Sequence, residues 1–146
     1  MFPVFEHFLY GKDLYEKMVA PVYRAFDLTY TEFTVLLFLA NNPQYDTAAQ
    51  VAKVRRLAKS HVSVSLRTLT ERGLITGEYF PGNQKTLHLR LTPEAEPVVT
   101  AGQAAQKAFG AKLLKDFTPE EVETLRKLAE KLHRNMKQED ENHAGE

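Results

Sequence analysis

The spacing of apolar residues changes from a helical period to a strand period after residue 73, and this change restricts the folds open to the chain. Residues 59–72 place apolar side chains three and four positions apart, which is the spacing of one helix face. Residues 86–92 alternate polar and apolar side chains, which is the period of a half-buried strand. Residues 75–80 are its predicted antiparallel partner, and Pro81-Gly82-Asn83 supplies the turn. A helix followed directly by a β-hairpin predicts a mainly α lobe with a small hairpin wing.

The remaining sequence is predicted to be helical. Residues 3–26 form an aromatic-rich first helix, which Pro21 is expected to kink or break because proline has no N–H to donate. Pro97 is expected to delay or bend the fifth helix, and the polar, acidic residues 139–146 are expected to be disordered. Helix starts are predicted at four threonines followed by capping-box or proline signals, namely Thr29, Thr47, Thr92 and Thr118.

The order of elements between Thr47 and Thr92 is that of a winged helix-turn-helix. A short helix runs from Thr47 to about Arg55, a tight turn follows, and the second helix ends at Gly73 before the hairpin. The first helix of this lobe precedes them, from Thr29 through Ala40. We find no internal repeat and no linker long enough to separate two domains.

The chain carries no net charge, but its charges are unevenly distributed. Residues 47–90 contain eight Lys and Arg against two Asp and Glu, whereas both flanking segments are net acidic. A basic segment in a neutral protein indicates a local site for a polyanion. A solvated Lys/Arg surface is the alternative.

Composition argues against several other classes of protein. Hydrophobic residues make up 43% and charged residues 26%, an ordinary globular mixture. The longest apolar run is six residues, 35–40, so we expect no membrane span. The N-terminus lacks the pattern of a secretory signal, and the chain has no cysteine for disulfides or thiolate metal sites. Both features fit a cytoplasmic protein.

The helix at 59–72 has the outward face expected of a DNA-reading helix. Short hydroxyl side chains let a helix approach base edges, Arg can donate two bonds to guanine, and Val can contact a thymine methyl. Cations at the start of the helix suit phosphate. A surface helix with small polar residues is the alternative. The residues predicted to bind DNA here are Arg55, Arg56, Lys59, Ser60, His61, Ser63, Val64, Arg67 and Thr68.

The hairpin adds three residues to the predicted DNA-binding set. Asn83 and Lys85 lie at its tip, and Arg90 points outward from the second strand. A basic wing tip suits the minor groove beside the major groove that the helix reads. Because the tip holds one cation, an ordinary solvated hairpin is the alternative.

Two segments resemble the MarR family of bacterial winged helix-turn-helix regulators. Leu57-Ala58-Lys59-Ser60-His61-Val62-Ser63, continuing to Leu69-Thr70-Glu71-Arg72-Gly73-Leu74-Ile75, is similar to the family's recognition helix. The segment from Asn83 to Pro93 is similar to the family's Asp-x-Arg wing, which ends in Leu-Thr-Pro. The resemblance extends over nearly the whole chain. It implies a transcription regulator that binds double-stranded DNA, and we expect repression by occlusion of a promoter.

The wing, the start of the recognition helix and the turn before it depart from the family pattern, the turn because Arg55 and Arg56 stand where apolar residues or Gly are more usual. Asn83 and Lys85 stand where the family's wing has Asp and Arg, and Lys cannot make the forked contact of Arg. Ala58 stands where Ser or Thr usually caps the recognition helix. We therefore expect the acid–Arg brace of the wing and this helix cap to be missing.

The resemblance also implies a homodimer. Each chain, residues 1–146, is expected to be a single domain. The dimerisation helices are expected over 1–27 and 93–138, and the DNA-binding lobe over 28–92. Two recognition helices about 34–36 Å apart would read a pseudo-palindromic operator. Completion of a monomer core is the alternative role of the terminal helices. The last helix supports pairing through a heptad-like seam of Val122, Leu125, Ala129, Leu132 and Met136.

A small aromatic or carboxylate effector is the ligand that the resemblance implies, between the dimerisation helices and the lobe, and its binding releases DNA. We expect no other cofactor. Five scattered histidines predict no metal site. An aromatic stripe is more often core than binding site. The candidate effector residues are Phe5, His7, Tyr15, Tyr23, Tyr30 and Phe33.

The sequence gives no support for an enzyme. It has no phosphate-binding Gly-rich loop, no Gly-x-Ser-x-Gly elbow and no HExxH motif. The alternative to a DNA-binding regulator is a winged-helix protein-interaction module that does not bind DNA. Salt-dependent binding to duplex DNA distinguishes the two.

Overall fold

The computed structural model describes residues 3–145 and shows a mainly helical chain with one β-hairpin. The fold class predicted from the sequence is confirmed. The chain divides into two compact units between Phe109 and Gly110, and each is described by itself. The elements in chain order are α1 (Pro3–Ala25), α2 (Tyr30–Asn41), α3 (Ala48–Arg55), α4 (Lys59–Glu71), β1 (Ile75–Phe80), β2 (Asn83–Leu91), a 3-10 turn (Pro93–Ala95), α5 (Glu96–Leu113) and α6 (Pro119–Ala144).

Three of the four predicted threonine caps are confirmed, whereas Thr92 precedes the 3-10 turn without a side-chain cap bond, because its hydroxyl donates to the Gly73 carbonyl. Thr29, Thr47 and Thr118 each accept a hydrogen bond from the backbone amide three residues later. At Thr47 and Thr118 the box is complete, because the side chain of that third residue also accepts from the amide of the cap. At the start of α4, Ala58 makes no side-chain bond, as the departure from the family pattern predicts.

The two helical prolines have different outcomes. The expected break at Pro21 is not seen, because α1 runs without interruption from Pro3 to Ala25. Val19, Ala20 and Tyr23 are buried on both sides of the proline, and this packing holds the helix across the missing backbone bond. The expected delay at Pro97 is seen: a 3-10 turn precedes α5, and Pro97 lies in the first turn of α5, where an N–H is dispensable.

The C-terminal segment differs from the prediction. Residues 139–146 are expected to be disordered, whereas α6 is helical through Ala144. The last turns contain Lys, Gln and Glu, which have good helix propensity even without packing. Polarity alone therefore misidentified the end of the helix.

The core of the first unit surrounds α2. Phe33, Leu36 and Leu37 are almost inaccessible to solvent, and α4 packs on α2 and α3. The α5 helix approaches α2 at Gly102, where an added Cβ would lie 2.8 Å from Leu37 Cδ2 and 2.9 Å from Phe33 Cε2. Only a residue without a Cβ permits this approach. The helix-turn-helix formed by α3 and α4 thus packs on α2.

The second unit contains all of α6, and none of the described residues of α6 is buried. Arg126 bonds Glu123 at 2.6 Å and also pairs with Glu130 on the next turn. The hydrogen bond from Arg126 lowers the pKa of Glu123. These ion pairs occupy the polar side of the helix, and its apolar side chains remain exposed.

Candidate nucleic-acid interface

The helix α4 has one buried face and one exposed face. Val62 and Leu69 are buried and Leu66 is half-buried, as predicted. Ser65 is also buried, and it is absent from the predicted buried face because that face was defined by apolar side chains. Its position, three residues after Val62 and four before Leu69, was the available signal. The predicted DNA-binding residues that the structure leaves exposed on α4 are Lys59, Ser60, His61, Ser63, Val64 and Arg67.

The exposed face of α4 combines donors, hydroxyls and one apolar side chain. The apolar side chain is Val64, which is 58% exposed. Thr68 is half-buried, and its hydroxyl donates to the carbonyl of Val64 at 3.3 Å. The single acidic residue of α4 is Glu71, at its last position. An anion approaching the first three turns therefore meets no carboxylate of α4.

The turn between α3 and α4 separates its two arginines. Arg56 has a left-handed backbone with φ 54°, and its amide donates to the carbonyl of Ala52 and ends α3. Arg55, the last residue of α3, is exposed but also borders a cavity of about 70 Å³, together with Tyr15 and Gln106. Arg55, predicted to contact phosphate, thus also lines a cavity, which the sequence did not reveal.

The wing is a regular antiparallel hairpin except at its tip. Its register pairs Ile75 with Leu91 and continues to Tyr79 and Leu87, then shifts between Tyr79 and Phe80. Gly82 follows Pro81 with φ 83°, the positive value that a Pro-Gly turn requires. The predicted turn is therefore correct, with Asn83 as the first residue of β2.

Asn83 organises the wing tip. Its Oδ1 accepts hydrogen bonds from the amides of Lys85 and Thr86 at 3.0 and 3.3 Å. The side chain that replaces the family's aspartate thus caps the turn, which is a local bond that an amide oxygen makes as an aspartate does. Lys85 is exposed at the tip.

The second strand has partners that the sequence did not predict. Arg90, predicted to bind DNA, forms a salt bridge with Glu78 across the hairpin at 2.7 Å. His88 Nδ1 lies 2.9 Å from Asp46 Oδ2, and its ring stacks on Phe80 at 3.7 Å between centroids. The amide of Leu89 donates to the Asp46 carbonyl at 2.7 Å. The two bonds to Asp46 fix the wing to the α2–α3 loop, while the salt bridge of Arg90 stays within the hairpin.

The six candidate effector residues do not form one site. Phe5 and His7 are exposed near the start of α1. Tyr23, Tyr30 and Phe33 pack together, with centroid distances of 5.9 and 6.0 Å, and Phe33 is fully buried. Burial raises the pKa of the Tyr30 hydroxyl. These three aromatic residues belong to the core, which is the alternative that the sequence analysis gave to an effector site.

Of the six, Tyr15 lines the cavity that Arg55 borders. Gln106 donates to the Tyr15 hydroxyl at 2.8 Å, and the Phe109 ring packs edge-on against the Tyr15 ring at 5.3 Å. The wall of the cavity also contains Asn41, whose side chain bonds both Gln103 and Gln106. The cavity is therefore polar, with Arg55 as its cation.

Residues 3–145 contain neither a membrane-spanning helix nor a cluster of metal ligands. No described helix has both the length and the apolar character that a membrane crossing requires. Within the same residues, no three His, Cys, Asp or Glu side chains lie close enough together to hold a metal ion.

The comparisons agree with this geometry. Residues 26–82, which include α2 to α4 and β1, match the model of the MarR family. A Listeria monocytogenes protein assigned to the MarR family of transcriptional regulators, solved with a 26mer DNA, is 18% identical with a TM-score of 0.79. That match covers 91% of this chain and 87% of the other.

Two further solved structures share the fold. Staphylococcus aureus MepR, solved in complex with DNA, is 20% identical with a TM-score of 0.71 and coverage of 93% and 96%. Staphylococcus aureus MarR, solved with salicylate and kanamycin, is 21% identical with a TM-score of 0.74 and coverage of 94% and 92%. Residues 26–82 of this chain thus match the MarR family, and the chain has the fold of these regulators.

Proposed function

We propose that the protein is a transcription regulator that binds double-stranded DNA through α4 and the wing. The exposed face of α4 carries the proposal, because it combines Arg67, small hydroxyls and the exposed Val64 with no carboxylate on its first three turns. Two of the similar structures were solved with DNA, which supports the same use of this fold. The absence of cysteine fits action in a reducing cytoplasm.

The residues of α4 have distinct proposed roles. Arg67 is placed to donate a forked pair of bonds to a guanine edge, and Val64 to contact a thymine methyl in the major groove. Ser60, His61 and Ser63 allow close approach to the bases, while Lys59 and Arg56 contact phosphate. At the wing, Lys85 reaches the adjacent minor groove.

Homodimerisation is part of the proposal. In the first unit, α1 exposes Phe8, Leu9 and Tyr10, with Leu9 68% accessible. In the second unit, α6 exposes Leu125 and Leu128. Apolar surface of this kind favours a partner, and a second copy supplies the same surfaces in a two-fold arrangement. Two copies would read a pseudo-palindromic operator, and occupancy of a promoter would repress it.

A small carboxylate effector is proposed at the cavity bordered by Arg55. An arginine beside the Tyr15 hydroxyl and the Gln106 amide suits a carboxylate, which accepts charge-assisted bonds. The cavity volume of about 70 Å³ is less than half of the ~150 Å³ known to hold benzene. It therefore fits the carboxylate end of a ligand rather than an entire aromatic acid.

The Arg67→Ala variant tests the base-reading role. We expect sequence discrimination to fall by about 1–3 kcal/mol at one position of each half-site, because a bidentate contact to guanine is lost. Fluorescence anisotropy with the duplex upstream of the protein's own gene and a scrambled duplex, at two salt concentrations, measures this. Arg134→Ala on α6 removes the same charge elsewhere and is the control. An unchanged base preference in Arg67→Ala would remove Arg67 from the reading face.

The Lys85→Ala variant tests the wing. We expect weaker binding to all sequences and a salt slope reduced by about 1, because one phosphate contact is lost. The slope of log Kd against log salt measures the change. A slope equal to that of the wild-type protein would exclude a phosphate contact by Lys85.

Binding by the wild-type protein decides between the two classes of function. Tighter binding to the upstream duplex than to the scrambled one, weakened by salt, is the result expected of a regulator. Absence of binding to either duplex at low salt would contradict the proposal and favour the protein-interaction module.

A further inference from the structure

We propose that Arg72 is a positioning residue that fixes α4 relative to α1 and thereby determines the half-site spacing that the protein accepts. The inference rests on the proposed function. Arg72 follows the last residue of α4 directly. Its Nη1 donates to the carbonyl of Asp27 at 2.7 Å, and its Nη2 donates to the carbonyl of Phe26 at 2.8 Å.

The acceptors of these two bonds lie just beyond the C-terminus of α1. The chain reverses there, because Asp27 has a left-handed backbone with φ 54° and the amide of Leu28 returns to the carbonyl of Tyr23 at 2.8 Å. Carbonyls at a helix end lack intrahelical partners and carry partial negative charge. A planar guanidinium satisfies two of them at once and fixes their direction, which a lysine ammonium cannot do.

A second set of bonds joins the C-terminal end of α4 to the segment that leads into α5. Gly73 ends α4 with φ 71°, and its carbonyl accepts from the Thr92 hydroxyl at 2.6 Å. The Thr92 amide donates to the carbonyl of Leu74 at 3.1 Å. Thr92 immediately precedes the 3-10 turn that leads into α5. The end of α4 is therefore bonded to the exit of α1 and to the entry of α5.

This junction, defined by Phe26, Asp27, Arg72, Gly73 and Thr92, leaves α4 little freedom to pivot about its C-terminal end. The reading face lies on the preceding turns of the same helix, so a small rotation at the junction would displace Val64 and Arg67. In the proposed dimer, α1 belongs to the pairing surface. The junction thus transmits the position of the pairing helices to the distance between the two reading faces.

The test uses operators with altered spacing. An operator is selected from a random duplex pool with the wild-type protein, and its half-sites are then moved one base pair closer and one base pair apart. Kd is measured for the three duplexes and for an isolated half-site. Arg72→Lys keeps the charge and loses the fork, and Arg72→Gln loses both. Thr92→Val removes the hydroxyl bond to Gly73 from the opposite side of the junction.

We expect the wild-type protein to prefer the selected spacing. Both Arg72 variants should lose that preference by on the order of tenfold while binding the isolated half-site as the wild-type protein does. Thr92→Val should change in the same direction by a smaller factor. A general loss of stability would weaken binding to all four duplexes equally and would contradict a positioning role.

The two failures are distinguishable. Wild-type spacing preference retained in both Arg72 variants would overturn the inference and leave the proposed function intact. A wild-type protein that selects no operator, or shows no spacing preference, would contradict the dimeric regulator itself, and the role of Arg72 would fall with it.

Discussion

Replacing Leu125 with Glu is expected to separate the proposed dimer and to weaken operator binding by about 100- to 10,000-fold. A dimer binds its second half-site with the advantage of an intramolecular event, and a monomer loses that advantage without losing any contact to DNA. Leu125 is 47% exposed on α6, whose described residues are all at least partly accessible. A carboxylate there would have to be buried between two copies without a partner, which is strongly unfavourable.

The control for this variant lies on the same helix. Gln138→Glu adds the same charge on the side opposite Leu125 and should leave both mass and affinity unchanged. Sedimentation equilibrium measures the mass, and fluorescence anisotropy with the operator measures the affinity. If Leu125→Glu remains a dimer with wild-type affinity, α6 does not take part in pairing. If the wild-type protein sediments as a monomer, pairing is excluded altogether.

Replacing Phe33 with Ala is expected to lower the free energy of unfolding by about 3–5 kcal/mol, the usual loss for a fully buried phenylalanine. Phe33 has no accessible surface and packs against Tyr23, with 6.0 Å between ring centroids. Truncation removes this contact and opens a cavity beneath α5. Urea unfolding followed by circular dichroism, at one fixed protein concentration, measures the change.

Gly102 provides an internal check on this packing. Gly102→Ala alone should destabilise the protein by about 1–3 kcal/mol, because the new methyl overlaps Leu37 and Phe33. This loss exceeds the gain of about 1 kcal/mol in helix propensity. In the Phe33→Ala background the methyl has more room, so the two effects should not add. Strict additivity, or stabilisation by Gly102→Ala in the wild-type protein, would show that α5 does not approach α2 this closely.

The helices could be predicted because their signals are local. Thr47 and Thr118 each bond the amide three residues later, and Leu66 lies four residues after Val62 and three before Leu69, so each signal acts within about one helical turn. The same locality explains the error at Pro21, where tertiary burial of neighbouring side chains outweighs one missing backbone bond.

The candidate site was predictable only in part for the same reason. The face of α4 follows from helical spacing within one element. The bond between His88 and Asp46 joins residues 42 positions apart, and the bond from Arg72 to Asp27 spans 45. No periodic pattern connects such pairs. Tyr30 and Phe33 share an aromatic character with Tyr15, and only the packing distinguishes core residues from the lining of a cavity.

The cap at the wing tip has an evolutionary consequence. Asn83 fixes the turn by bonding the amides of Lys85 and Thr86, and backbone amides are present whatever side chain follows. The side chains at positions 84 and 85 are therefore not needed to hold the hairpin turn. Successive single substitutions at these two positions can change the charge of the tip while the hairpin stays intact. A lineage of such proteins can thus change the charge of the wing tip, whereas Asn83 itself is open to few replacements.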